Sequence, residues 1–254
     1  MRIFRDLLIL LALFGLVWFA FSLWSEPVVQ DDFITVEQEE EIAETIQSFI
    51  LSEFEFSSDS SFNTLLDTVR RRLLKGLDTP KYDYSFTLLE GEEINAFCAF
   101  SGEIYVFKGL IEECEKPEEL AAVLAHEIGH GQKRHVVKNL IKELGITTIT
   151  VIISGGDPVI VEQVAKAVIS SSFSRKMEYE ADDFAFDLLQ NANINPQHLT
   201  AFFISLQSKK DHFIPEWLST HPALDKRIER LAGKEKNVDY LEIPIDFKMA
   251  QDSI

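Results

Sequence analysis

The sequence predicts a mostly helical α+β domain, with one small β-sheet beside a central helix and one membrane helix at its N-terminus. Three observations carry this. Apolar residues recur at helical spacing over most of the chain from Val36 to Leu231. Strand-like alternation is confined to residues 84 to 107. An uncharged apolar run fills Leu7 to Trp24. The 254 residues, 46% hydrophobic and including 20 Phe, suffice for one medium-sized core plus an appendage. The net charge of −18 argues against nucleic acid as a partner and against basic patches that grip anionic lipid.

The apolar run follows Arg2 and Arg5 and precedes Glu26, Asp31 and Asp32. Its eighteen residues make about 27 Å of helix, close to the ~30 Å hydrocarbon core of a bilayer. Trp18 and Trp24 fall toward its far end, where interfacial aromatics sit, and the flanking charges place the N-terminus in the cytoplasm. It reads as an uncleaved anchor. The rival reading is a signal peptide cut near Ala20-Phe21-Ser22.

Pro27 to Phe33 reads as a linker. Val36 to Phe54 is a packing helix with Ile42, Ile46, Phe49 and Ile50 inward and an acidic outer face from Glu37 to Glu41. Phe62 to Leu77 is a second amphipathic helix, its Arg70, Arg71, Arg72 and Lys75 near the negative end of the dipole. Tyr84 to Leu89, Ile94 to Phe100 and Glu103 to Phe107 alternate as strands, the last two joined by a turn at Ser101-Gly102. Gly109 to Glu115 opens a short helix. Leu140 to Ser170 gives two core helices broken by Gly155-Gly156-Asp157-Pro158. Helices follow over Ser174 to Leu189 and Pro196 to Ser208. A loop from Lys209 to Thr220 carries His212 and Trp217 and leads to a last helix ending at Leu231, and an acidic, loosely ordered tail follows Gly233. Cys98 and Cys114 form no Cys-x-x-Cys, so a thiolate metal site is not indicated. Cys98 reads as a buried apolar side chain, although a disulfide between the two is chemically permitted outside the cytoplasm.

The chemistry concentrates in His126-Glu127-Ile128-Gly129-His130. Pro117 suits the first position of this helix, and Glu118 and Glu119 suit its positive end. His126 and His130 are four residues apart and share one face, where two imidazoles can grip one zinc ion. Glu127 is turned about 100° away, beside the metal, where a carboxylate can take a proton from water. The apolar flanks from Ala121 to Ala125 bury the helix. Gly129 and Gly131 each cost about 1 kcal/mol in its interior, which close approach of another segment would offset. A third ligand is needed. His135, nine residues after His126, lies about 180° round the helix and cannot share the metal while the helix continues. It reads as a helix-surface group or as a support for a ligand. Downstream, Glu178 and Asp182 are four apart on one helix face. There Glu178 suits the metal and Asp182 suits the outer nitrogen of a ligand histidine. An acidic solvated face is the plainer reading of that pair taken alone.

Together these residues resemble the HtpX/BepA-like zinc metallopeptidase family, which also holds the CAAX prenyl protease and the mitochondrial overlapping-activity protease. The resemblance covers roughly Asn63 to Ala232. It rests on the His126 to His130 motif, on Ser174-Arg175 with Glu178, Ala181 and Asp182, on Ile94-Asn95-Ala96-Phe97, on Gly102 to Leu110, and on His221-Pro222 with Arg227-Ile228. It implies a zincin-like domain in which His126, His130 and Glu178 bind one zinc ion, Glu127 is the catalytic base and Asp182 orients a ligand histidine. His221 would stabilise the transition state or block the site. It further implies peptide substrates added as a strand along an edge strand near Glu103 to Phe107. The expected organisation is an anchor over residues 1–26, a linker and packing helix over 27–61, the peptidase over 62–232 and the tail over 233–254. The expected function is a zinc metalloendopeptidase of unfolded or misassembled proteins, held in a bacterial inner membrane by residues 7–24 and facing the periplasm. Alternatives are a periplasmic protein released by signal cleavage, and a latent or plugged zinc protein serving as chaperone or adaptor.

Overall fold

The computed structural model describes residues 11, 13–16, 34–209, 215–234, 239–245 and 247–251. The apolar run from Leu7 to Trp24 lies mostly outside them; of it, residue 11 and residues 13–16 are helical, and Leu11, Leu13, Phe14 and Leu16 are exposed. Among the described residues no helix is long and apolar enough to cross a membrane. Ile34 to Ile254 form a unit of their own.

Its elements are α1 (Val36–Glu53), α2 (Ser60–Lys75), β1 (Ser85–Leu89), β2 (Ala96–Cys98), β3 (Glu103–Phe107), α3 (Lys108–Glu113), α4 (Pro117–Gln132), α5 (His135–Leu144), α6 (Ile146–Ile153), α7 (Pro158–Ile169), α8 (Arg175–Asn191), α9 (Gln197–Lys209), α10 (Glu216–Thr220), α11 (Leu224–Ala232) and α12 (Phe247–Gln251). The sheet order is β1-β3-β2, with β1 parallel and β2 antiparallel to β3. Thus β3 is the central strand, which corrects the expectation of an edge near Glu103 to Phe107. Its backbone groups are already paired on both sides, so no peptide can be added there. The edge beside the central helix is β2.

The sheet separates two apolar cores, and β3 feeds both because its side chains alternate. Ile104 and Val106 join α2, α4, α8, α9 and α11 on one face. Tyr105 and Phe107 join α1, α5, α6 and α7 on the other. α4 runs through the first core and is buried from Pro117 to Gly131. Its glycines explain themselves. A Cβ on Gly129 would lie 2.9 Å from the Ala181 carbonyl oxygen of α8, and one on Gly131 would lie 2.9 Å from the Tyr84 ring.

α1 starts with a capping box between Thr35 and Gln38. It buries Ile42, Ala43, Ile46 and Ile50 together with Glu39, so Glu39 does not belong to the acidic outer face that the sequence suggests. The C-terminal stretch also departs from expectation. Instead of trailing loosely, it buries Ile243 and Phe247 in the first core. The Ile243 N–H donates to Glu118 Oε1 at 2.6 Å, and Gln251 Nε2 donates to the Ile111 carbonyl at 3.0 Å. Cys98 and Cys114 are both buried free thiols.

Candidate metal centre

α4 and α8 cross where Gly129 meets Ala181, and this crossing sets the site. Ser174 caps α8 by accepting from the Met177 N–H, so Glu178 and Asp182 start one and two turns into the helix, on the face turned to α4. His126, Glu127, His130, Glu178 and Asp182 are all fully buried.

Hydrogen bonds fix the ring orientations. His126 Nδ1 lies 3.0 Å from Asp182 Oδ1, so that nitrogen donates and Nε2 keeps its lone pair. His130 Nδ1 meets His135 Nδ1 at 3.0 Å, and His135 Nε2 meets Glu180 Oε2 at 3.1 Å. With His135 donating to Glu180, its Nδ1 accepts from His130, and His130 Nε2 also keeps its lone pair. Those two lone pairs then face each other at 3.0 Å. Glu178 completes the triangle, 3.6 Å from His126 Nε2 and 3.5 Å from His130 Nε2.

The two imidazole lone pairs repel at this spacing unless a cation lies between them, and the Glu178 carboxyl group stands beside both. A tetrahedral zinc with ligands at about 2.0–2.1 Å holds them about 3.3 Å apart, close to what is found. Both Glu178 oxygens, Glu127 Oε1 and His221 Nε2 are buried without a hydrogen-bond partner. Arg227 Nη1 reaches Glu178 Oε2 at 2.5 Å as an ion pair. Ligand atoms of His126, His130, Glu178 and His221 lie within 4.8 Å of one another. The residues therefore fit a zinc ion, with His221 as a fourth donor.

Burial dominates the protonation equilibria. It lowers His126 to about 4 and drives His130 and His221 well below the ordinary value, so all three stay neutral. It pushes Glu127 up to about 8, against the pull of the Cys98 N–H that donates to its Oε2 at 3.1 Å. Burial would raise Asp182 too, but the Arg227 guanidinium reverses this and holds it well below the usual range.

His221 follows α10, its ring stacked on Trp217 at 4.4 Å, with Nε2 3.4 Å from Glu127 Oε1. Trp217, which the sequence places in a loop, is fully buried in α10. His135, counted round a continuous helix, ought to point away from the site. The helix does not continue: it stops at Gln132, Arg134 turns left-handed (φ 53°), and α5 restarts at His135, which is buried behind His130. Arg227 enters the sequence reading only as part of a motif. In the structure it donates to Asp182 from Nε at 2.8 Å and Nη2 at 2.6 Å, packed against the Phe203 and Trp217 rings. The sequence does carry a signal for it, because Arg227 sits on the apolar stripe of α11 with Leu224, Ile228 and Leu231.

A model of Peptidase family M48 matches residues 60–235. The chain belongs to peptidase family M48. Among curated M48 relatives it is 34% identical over 140 residues to mitochondrial metalloendopeptidase OMA1 of Arabidopsis thaliana, covering 55% of this chain and 29% of the relative. It is 28% identical over 189 residues to the beta-barrel assembly-enhancing protease of Yersinia pestis, covering 67% and 38%. It is 25% identical over 184 residues to metalloprotease LoiP of Escherichia coli, covering 70% and 72%. The chain thus spans about a third of the length of the first two. The M48 match takes in α4, α8 and His221 and leaves out α1.

Proposed function

We propose that this M48 chain is a zinc metalloendopeptidase whose ligands are His126, His130 and Glu178. The observation that carries the reading is the trio of buried lone-pair donors facing one another, with Glu127 beside them. Zinc held there would supply the acidification of a water and the polarisation of a peptide carbonyl. Glu127 takes the proton from the attacking water and delivers it to the leaving amine. Asp182 and His135 keep the ligand rings turned, with Arg227 neutralising the carboxylates behind them. The substrates we infer are unfolded or misassembled polypeptides, and the location we infer is a bacterial envelope, with residues 7–24 as anchor and the peptidase outside the cytoplasm. The outer edge of β2, not β3, is the strand that an extended substrate would meet once Glu127 releases the Cys98 N–H and Trp217 releases the Ile94 carbonyl.

A direct test follows degradation of an unfolded protein by the full chain. Turnover stopped by a chelator and restored by zinc supports the reading. Stoichiometric zinc without turnover points instead to a latent form. That second reading has its own observation: His221 and Trp217 cover the site, and the Cys98 N–H occupies Glu127. His221→Ala separates them, since it raises activity if His221 is a plug and lowers it if His221 steadies the transition state.

Zinc affinity carries a pH signature. Burial raises Glu178 well above the ordinary carboxylate value, with Arg227 opposing and Asp182 and Glu127 adding to it. Metal-free Glu178 is therefore protonated at pH values between its ordinary and raised pKa, and binding zinc expels that proton. The nearby histidines are already neutral there and release none. Affinity should rise about tenfold per pH unit across that window, one proton being released. Chelator competition over a pH series measures it, and a flat profile shows that Glu178 gives up no proton when zinc binds.

A further inference from the structure

A carboxylate on the apolar face of α1 has no evident business there. Glu39 is 1% exposed, in line with Ile42, Ala43, Ile46 and Ile50. It accepts from Arg134 Nε at 2.6 Å and from the Tyr82 hydroxyl at 2.5 Å. Arg134 also reaches the Ile34 carbonyl, just before α1. Arg134 is the left-handed residue between α4 and α5, a conformation that non-glycine residues disfavour unless their surroundings hold them in it. Its N–H donates to the Gly131 carbonyl at 2.8 Å, closing α4 one residue past His130. The next residue is His135, whose ring meets His130 Nδ1 at 3.0 Å. A cavity of only about 10 Å³ is lined by Glu39, Tyr82, Arg134 and His130 together. The ion pair and the ligand ring are thus two sides of one small wall.

We propose that α1, outside the stretch matched by the M48 model, is a positioning element of the metal centre: Glu39, through Arg134, sets His135 against His130 and so tunes how tightly zinc is held. Glu39 touches neither metal nor substrate. It acts by fixing the turn that lets the chain double back. The segment that follows the apolar N-terminal run is thereby wired to a zinc ligand, and whatever displaces α1 loosens the metal. This rests on the zinc reading of the site.

The test is a double-mutant cycle on zinc affinity, measured in the full chain in detergent by competition with a fluorescent chelator. The parent comes first, and failure of the parent to bind zinc overturns this proposal and the site reading together. His135→Asn should weaken binding about 10- to 100-fold, as loss of a ligand's supporting partner does. Glu39→Gln should weaken it roughly fivefold or more, yet add nothing within twofold once His135 is Asn. Ile46→Val, which trims the packing of α1 two turns from Glu39, should leave affinity within twofold of the parent. A general packing role would move Ile46→Val and Glu39→Gln alike, and would multiply with His135→Asn. Either result overturns the proposal while the parent's zinc site stands, as does parental affinity in Glu39→Gln. Should Glu39→Gln not fold, Arg134→Lys keeps the buried charge, removes only the forked grip, and is read by the same criteria.

Discussion

Glu127→Gln reduces kcat/KM for peptide hydrolysis by about 10² to 10⁴, the range expected for losing a general base. It leaves zinc content unchanged. The carboxylate is fully buried and makes one hydrogen bond, from the Cys98 N–H to Oε2. Glutamine keeps an oxygen there and fills the same volume, so the loss is chemical and not structural. The stability sign points the same way. Burial pushes Glu127 up to about 8 in the metal-free protein. A group raised above its unfolded value gives stability that is complete below that unfolded value and lost as pH rises through the folded one. Metal-free Glu127→Gln, which never ionises, should therefore match the parent below about pH 4.5 and exceed it by a growing margin as pH rises toward 8 in urea melts. Activity within tenfold of the parent would remove Glu127 from the mechanism.

Arg227→Met should cost about 3–5 kcal/mol, the penalty for leaving a buried charge unpaired. At roughly 2–4 °C per kcal/mol for a chain of this size, the melting temperature falls by about 10 °C. Arg227 is fully buried, and Asp182 takes two hydrogen bonds from it. Methionine fills the space against Phe203 and Trp217 but leaves the Asp182 carboxylate without a countercharge. Adding Asp182→Asn to Arg227→Met should recover part of the loss, because the stranded charge goes. A shift below about 3 °C in the single variant would show that the pair contributes little.

The part of this centre that lies on single helices is legible in the sequence. Spacing alone puts His126 with His130 and Glu178 with Asp182. Where two elements join, spacing no longer suffices. Counting along a continuous helix misplaces His135, because its position depends on a break at Arg134 that neither glycine nor proline marks; a distant ion pair supplies the turn. Strand order is hidden for a similar reason. Alternation says which residues form a strand, not which strand lies between two others. The run Ile104 to Phe107, apolar on both faces, does carry the mark of a central strand. Glu39 and Arg227 share one easily missed signal, a charge written into the apolar stripe of an amphipathic helix. Each such charge has a buried partner from a distant element.

The crossing of α4 and α8 at Gly129 and Ala181 acts as a mechanical stop. With so little space there, the two ligand-bearing helices can slide or part but cannot approach further. The triangle formed by His126, His130 and Glu178 is thus already at its narrowest. The cover formed by α10 and His221 lies apart from that crossing, so it can lift while His126, His130 and Glu178 keep their places.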